Sequence, residues 1–559
     1  MLSKRSLGCD EVKVTPNKRF RLNAADLFLS NSISASRTAG LFADAVAAGA
    51  QDVQDLSNVG SAKNMHRNLL RKLLKRTQWP DLYVVEIPIW DKVRAEERVA
   101  AVPLLLPHEI VAALYASRRG DGPFFSRESL DAVGRQHLDN FARDIAFDGP
   151  LLGLGLWQDG VAAKWDRSKS FDMLTMSFPG LGGRWASLRI PLVSIDHVWV
   201  LKERTWDALL EVVAWSFRSL ALGVFPATRH DGAEWLSADV RRKKLCGVAV
   251  GCRGALCQMT GDWKAYKEIF RVPQFNERAG CCFKCRVLPS GIRDTGAAAP
   301  WRQDRLDHWQ FLARLAEQGK TASPLFGAPG FRLPILRLDW LHIADLGVAA
   351  DWLGQLFWYL LRSLPGANDR ARCDFLWRRI QELYREYPPF ARLDNLTLSM
   401  FVGTRRKSAK LRCHASECRG LVPVARHLAG EILGVDDPVD EAVRQATFEL
   451  AACYRAVERS QPTATFSRRF ATLWVALEDQ DPAHFHSKPK LHLFQELCEM
   501  EPQGRPVTHA TYREEEFGGN VAALGRRLGG HNTPSSVGVQ TLLKFRARHQ
   551  LPAIGDEGA

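Results

Sequence analysis

Two aspartates stand at the ends of apolar runs in this chain. Asp159 closes LLGLGLWQ and precedes Gly160, and Asp262 follows GALCQMTG. A carboxylate beside a strand core is costly to bury unless a cation or a donor compensates it. Acids on neighbouring strands can share divalent metal. Two Mg2+ ions about 3.5–4 Å apart activate a water and stabilise the leaving oxygen of a phosphodiester. A third carboxylate has to come from a later helix, where Glu514, Glu515 and Glu516 are the candidates. Each acid also has an ordinary reading: Asp-Gly as a turn, a Glu triplet as a solvated helix face. The ordered set, in a chain where 76 Lys and Arg exceed 62 Asp and Glu to give a net charge of +14, points to chemistry on an acidic polymer. Nucleic acid is the usual one.

Twelve cysteines in 559 residues are too sparse for a disulfide scaffold. Cys281, Cys282 and Cys285 cluster, as do Cys413, His414 and Cys418, which fits metal or free thiols in a reducing compartment. For the second group ordinary loop residues are the favoured reading. From Lys63 to Arg76 there are six Lys or Arg and no acid. Lys63, Arg67, Arg71 and Lys75 are four apart and form one stripe on a helix, with Leu69, Leu70, Leu73 and Leu74 on the other side. The stripe is either a solvated face or a helix laid along a phosphate backbone, where each contact displaces counterions. A second basic run, Arg405, Arg406, Lys407, Lys410 and Arg412, is either solvated or in touch with DNA phosphates, and the sequence does not choose between them. A third group, Arg526, Arg527, Lys544, Arg546 and Arg548, is placed to line a DNA channel. There is no GxxxxGK[ST] loop and no GxSxG elbow, which disfavours an ATPase and an esterase-type hydrolase.

These residues need elements to position them. Hydrophobic residues at 46% and charged residues at 25% are globular averages and exclude a disordered or fibrous chain. No run of about 18 uncharged apolar residues occurs, so no membrane partner is expected. Leu346 to Leu364 comes closest, but with Asp351 and Arg362 it reads as a buried helix. The segment MLSKRSLGCDEVKV lacks the apolar core of a secretory signal. Residues 1–80 form a basic N-terminal region. Residues 81–150 are mixed, with a strand over 82–90, helices over 106–116 and 129–147, and a turn at Gly120 to Pro123. Over 151–270 come strand-like runs at 151–157, 171–178 and 187–200, a helix at 205–223, and an apolar run at 245–259. Three strands, a helix and a strand is the opening order of an RNase H-like α/β fold. Residues 271–480 read as a helical domain inserted in it, and 481–559 as its second half, with helices over 488–500, 511–530 and 534–550.

Six motifs occur in series. They are Asp159-Gly160; Gly261-Asp262; Cys282-Phe283-Lys284-Cys285; Asp339-Trp340-Leu341-His342 with Asp345-Leu346-Gly347; Lys488-Pro489-Lys490-Leu491-His492; and Tyr512-Arg513-Glu514-Glu515. In this series, over roughly residues 150–530, the chain resembles the DDE transposases of the CACTA (En/Spm) and Plavaka-type transposons. More distantly it resembles the Transib transposases and the V(D)J recombinase derived from them. The resemblance implies an RNase H-like mixed sheet split by a large, mainly helical insertion, and Mg2+-dependent DNA strand cleavage and strand transfer. It implies a metal-binding triad of Asp159, Asp262 and Glu515, with Asp339 a rival for the second place and Glu514 and Glu516 for the third. It also implies structural Zn2+ on Cys282, Cys285 and His492. The family's second histidine position is Glu496 here, which can ligate through oxygen, with His486 as a substitute. His342 would bond a buried carboxylate, Asp339 or Asp345, with a catalytic role as the lesser alternative. Expected partners are DNA, as transposon ends and target, and further copies of the chain in a nuclear homo-oligomer. The rival expectation is a catalytically inactive nuclear DNA-binding or zinc-containing interaction protein on the same fold, since a fold does not certify an activity.

Overall fold

The computed structural model describes residues 15–60, 62–118, 124–162, 170–403, 408–500, 510–527, 536–552 and 554. The protein is mixed α/β, mainly helical, with two sheets among these residues. It divides into two compact units. The first comprises Met1–Arg271, Leu315–Leu336 and Tyr512–Ala559, the second Val272–Arg314 and Arg337–Thr511. The second unit therefore runs past residue 480, where the helical pattern predicts its end, and Leu315–Leu336 belongs to the first. No helix among the described residues is long and apolar enough to cross a membrane.

In the first unit, β1 (Tyr83–Asp91) and β2 (Glu96–Leu104) form an antiparallel hairpin. The main sheet contains β3 (Leu151–Ala162), β4 (Ser170–Ser177), β5 (Arg189–Asp196) and β6 (Arg253–Gly261) in the order β5-β4-β3-β6. β3, β4 and β5 make an antiparallel meander, and β6 returns parallel to β3. A parallel return needs a crossover, supplied by the helix Lys202–Leu222, which packs on β6. Its run TWDALLEVVAWSF is apolar nearly all round because most of it is buried. It ends at Gly223 with φ of 75°, the left-handed conformation that terminates helices. The apolar run at 245–259 becomes a strand only from Arg253, because Gly247 and Gly251 take positive φ and turn the chain first. Beyond β6 a single parallel bridge joins Met259 to Leu336.

The helices Pro16–Leu29, Ala35–Ala47, Gln54–Ser57 and Met65–Leu74 share a core built on Phe28, Phe42, Leu56, Leu69, Leu70 and Leu73. Leu543 and Ala547 of the C-terminal helix Ser536–Arg548 pack against it.

The second unit is built around the helix Ala350–Leu360, which follows a π-helical stretch at Leu341–Ala349. Trp352 lies fully buried against Phe470, Trp474 and Phe485. The expected burial of this segment holds although it carries Asp351. That carboxylate meets Lys488 at 2.5 Å and Lys410 at 3.5 Å, so its charge is compensated. Lys410 also donates to the carbonyl of Leu346 at 2.7 Å and is half-buried, not a solvated surface cation. Arg405, Arg406 and Lys407 lie outside the described residues, as does the turn at Gly120 to Pro123.

Candidate metal centres

Asp159 and Asp262 converge within the first unit. In the parallel β3–β6 ladder Trp157 pairs with Thr260 and Gln158 with Gly261, so the two aspartates follow side by side. Their carboxylate oxygens lie within 4.8 Å of one another. Asp159 is 9% exposed, and its Oδ1 accepts from the Gly160 N–H at 2.6 Å. Asp262 is the N-cap of the helix Trp263–Phe270, and its Oδ1 accepts from the Ala265 N–H at 2.6 Å. Asp-Gly at β3 is therefore part of the strand, and the acid after Gly261 caps the helix that follows.

The helix that carries the candidates for the third carboxylate lies against β3. Trp157, Asp159 and Val161 alternate onto one face of β3. The helix Tyr512–Arg527 packs on that face. A Cβ on Gly518 would stand 2.7 Å from Val161 Cγ2 and 3.3 Å from Trp157 Cη2, so a larger residue there would have to displace Val161 or the helix. Glu515 sits three positions earlier, on the same helix face. Its neighbours are otherwise engaged: Glu514 is buried in an ion pair with Arg189 at 2.5 Å, and Glu516 is exposed. Glu515 is half-buried. Among the described residues the 4.8 Å group takes in Asp159 and Asp262 but not Glu515.

The rival Asp339 is used elsewhere. Its carboxylate accepts from the N–H groups of Leu341 and His342 at 3.1 Å, from His342 Nδ1, and from Thr511 N at 3.0 Å and Oγ1 at 2.9 Å. Five donors leave it no lone pair to spare, so it organises the second unit's backbone. Asp345 instead accepts from the Tyr454 hydroxyl at 2.7 Å.

On the face of the sheet opposite Asp159, Asp172 of β4 is buried beside Gly160 and bonds His197 Nδ1 at 2.9 Å. The sequence shows no local signal for this pair. The hydrogen bond to Asp172 raises the His197 pKa, and burial, with Asp172 and Asp262 as negative neighbours, raises that of Glu268.

The second unit holds a four-residue cluster in which Cys282, Cys285, His492 and Glu496 are all buried and each offers a ligand atom within 4.8 Å of the others. The cysteines sit in a tight turn. The N–H of Cys281 donates to the carbonyl of Val287 at 3.0 Å, and the N–H of Lys284 to Cys282 Sγ at 3.3 Å. An antiparallel bridge between Cys285 and Arg305 fixes the turn's far side. His492 lies on the helix Lys490–Gln495, and Glu496 opens the π-helical turn Glu496–Met500 four residues on, so both face the same way. Cys285 Sγ is 3.4 Å from His492 Nε2, which is 3.6 Å from Glu496 Oε1. Cys282 Sγ is 4.0 Å from that oxygen. Burial opposes the Cys282 thiolate, but hydrogen bonds from Cys285 and His492 outweigh it and hold its pKa well below the ordinary thiol value. Cys285 moves the other way, because its hydrogen bond to Cys282 and its burial keep its proton. Burial, reinforced by Cys282, raises the Glu496 pKa. Two polar atoms here, Glu496 Oε2 and His492 Nδ1, are buried without a hydrogen-bond partner. Two sulfurs, an imidazole and a carboxylate oxygen within 4.8 Å of one another fit a thiophilic divalent ion. His486 does not join; its ring faces Glu478 at 3.7 Å. Cys418 donates to the Asp345 carbonyl at 3.0 Å, and the Cys413–Cys418 pair forms no metal group among the described residues.

Of the stripe expected on one helix, Arg67 and Arg71 lie on the helix Met65–Leu74, Lys75 is its C-cap, and Lys63 precedes it in the 3-10 turn Ala62–Asn64. Lys63, Arg67, Arg71 and Lys75 are exposed, while Leu69, Leu70 and Leu73 are buried beneath them. The other two cations of the run are tied down, Lys72 by the carbonyls of Asp55 and Asn58 and Arg76 by Asp52 and Asp55. Among the described C-terminal cations, Lys544, Arg546 and Arg548 are paired within the fold and do not line a channel. Lys544 and Arg546 are buried and Arg548 half-buried, held by Asn31, Asp81 and Asp26 respectively. The side chains of Arg526 and Arg527 lie outside the described residues. The sequence matches no protein-family model, and no curated protein matches it.

Proposed function

We propose that this protein is a transposon-encoded or transposon-derived DDE transposase, cleaving DNA strands and joining the freed 3′ ends to target DNA on an RNase H-like core. The observation that carries the reading is the meeting of Asp159 and Asp262 at the ends of parallel neighbours in a sheet ordered β5-β4-β3-β6. In an RNase H-like sheet the first and fourth strands are neighbours in the same way. Asp159 and Asp262 would hold Mg2+, with Glu515 closing the set from the helix laid on β3. Mg2+ bound there supplies an activated water and stabilises the leaving oxygen. The chain's own part is to keep the two carboxylates in register and to present cationic support for the flanking duplex through Lys63, Arg67, Arg71 and Lys75. The Cys282, Cys285, His492 and Glu496 cluster would hold structural Zn2+. The protein would act in the nucleus as a homo-oligomer on transposon ends and target DNA.

A second reading has its own support. Asp262 is already used as a helix cap, and Glu515 stands outside the 4.8 Å group. Both fit a DNA-binding, zinc-containing protein that has lost catalysis. One experiment separates them. Purified protein is given duplex DNA with Mg2+ or Mn2+, and binding and strand cleavage are followed together. The transposase reading expects cleavage that Asp159→Ala and Asp262→Ala abolish while binding persists. It also expects affinity to fall steeply with salt, with a log–log slope that Arg67→Ala and Arg71→Ala each flatten by about 0.9 for the phosphate they cease to neutralise. Binding without cleavage in either metal supports the second reading. Salt-insensitive binding, or none, removes both.

A further inference from the structure

A zinc site made of two thiolates, a neutral imidazole and a carboxylate carries a net charge of −1. Such a charge in a buried site is expensive unless a cation compensates it. Glu496 and His492 are each 1% exposed. The cluster's spacing already suits one ion. Ligands about 2.0–2.3 Å from a tetrahedral centre stand roughly 3.3–3.8 Å apart, against 3.4, 3.6 and 4.0 Å for the measured pairs. What the four residues lack is charge balance.

Three arginines surround the cluster. Arg314 donates to the Cys282 carbonyl at 2.7 Å, and Arg302 is bound to Glu499 at 2.8 Å and Gln495 at 3.1 Å. Neither touches a ligand atom. Arg305 does: its Nη1 lies 2.7 Å from Glu496 Oε1. It is placed there by the backbone bridge to Cys285 and by the Leu306 N–H bonding the Lys284 carbonyl at 3.0 Å. The segment that carries the charge is thus stitched to the cysteine turn itself.

We propose that Glu496 is the fourth zinc ligand and that Arg305 is the positioning residue that makes a carboxylate acceptable there. Arg305 neutralises the excess negative charge and fixes the carboxylate's orientation. The inference rests on the reading that this cluster holds Zn2+, and is independent of DNA cleavage. Zinc binding would release the thiol protons to solvent, so that both sulfurs ligate as thiolates.

The test uses the full chain and metal alone. Zinc content is measured by elemental analysis, affinity by chelator competition, and geometry by the thiolate-to-metal and ligand-field absorption of the Co2+ form. Arg305→Met is expected to weaken zinc binding about tenfold to a hundredfold, the range for partners of ligand residues. Arg305→Lys keeps the charge and should retain most of the affinity, which guards against a merely misfolded Met variant. Glu496→Gln removes the excess charge. In that background Arg305→Met should weaken binding little further, giving a non-additive cycle. Arg305→Met that binds zinc as tightly as the unaltered chain overturns the proposal, as does strict additivity with Glu496→Gln. If the unaltered chain carries no zinc and gives no thiolate–Co2+ band, the metal reading itself fails, and the Arg305 inference with it.

Discussion

Gly518 and Gly519 are adjacent in one helix but face different surroundings, and that contrast tests the placement of Glu515. A Cβ at Gly518 would lie 2.7 Å from Val161 Cγ2, whereas one at Gly519 meets nothing within 4 Å. Ordinary contact begins near 3.4 Å, so Gly518→Ala forces the helix and β3 apart by about 0.7 Å or moves Val161. Replacing helical Gly by Ala gains about 1 kcal/mol from backbone entropy, and overpacking costs about 1–3 kcal/mol. Gly518→Ala should therefore be neutral to about 2 kcal/mol less stable, and Gly519→Ala about 1 kcal/mol more stable. If Glu515 completes the site over Asp159, a shift approaching 1 Å should cost cleavage about a hundredfold, far more than the stability change predicts. Urea unfolding gives the stabilities and single-turnover cleavage of labelled duplex gives the rates. Equal rates for the two variants at a concentration where both are folded would show that the helix does not position a catalytic group.

Two other perturbations address how the first unit is held. Breaking the buried Arg189–Glu514 pair by Arg189→Met leaves a carboxylate buried and uncompensated, so urea melts should show a loss of about 3–5 kcal/mol; a loss under 1 kcal/mol would mean that Glu514 finds water or another donor. Burial pushes the pKa of His108 and of His549 down to about 3, while the unfolded imidazole titrates near 6.5. Their contribution to stability is present above about pH 6.5 and is lost as pH falls, since the unfolded chain takes up the protons first. His197, raised by Asp172, acts in the opposite sense: its contribution is full below about pH 6.5 and fades as pH rises through its folded pKa. Stability measured near pH 5.5 should be lower than near pH 7.5, and His108→Gln should flatten the difference; equal values for the unaltered chain would contradict the burial of these rings.

The strands that carry the first acid and its neighbours are legible in the sequence because strands buried on both faces read as continuous apolar runs, as β3, β4 and β5 do. β2 is not, because EERVAAVPL mixes exposed Glu and Ala with few β-formers, and its pairing with β1 supplies the rest. The CxxC turn is visible at close range, and the match of His492 and Glu496 follows from helix spacing. Arg305 carries no local mark; only the bridge to Cys285 gives it a role. The same limit explains the C-terminal cations. A charge run in sequence looks solvent-facing, but Asp26, Asn31 and Asp81, which hold Arg548, Lys544 and Arg546, lie more than 400 positions away and are invisible to periodicity. Asp339 fails as a metal candidate for a similar reason, since two of its donors come from Thr511.

Asp262 caps a helix and, in the proposed function, also holds metal, and the two roles can be pulled apart. Two carboxylates within 4.8 Å repel by about 3.5 kcal/mol or more at an effective dielectric near 20. The Gly160 and Ala265 N–H groups and the positive end of the helix Trp263–Phe270 offset part of this. A divalent cation would offset the rest and more. Asn caps helices as well as Asp does, so Asp262→Asn should keep the cap while removing the repulsion. In metal-free solution the variant should be as stable as the unaltered chain or up to about 3 kcal/mol more so. Adding Mn2+ should then raise the melting temperature of the unaltered chain, because an ion that binds only the folded state stabilises it, and leave Asp262→Asn unmoved. Equal Mn2+ shifts in both proteins would place the ion elsewhere and leave Asp262 as a cap alone. A variant that loses stability without metal would mean that the carboxylate charge is required by the helix, not by an ion.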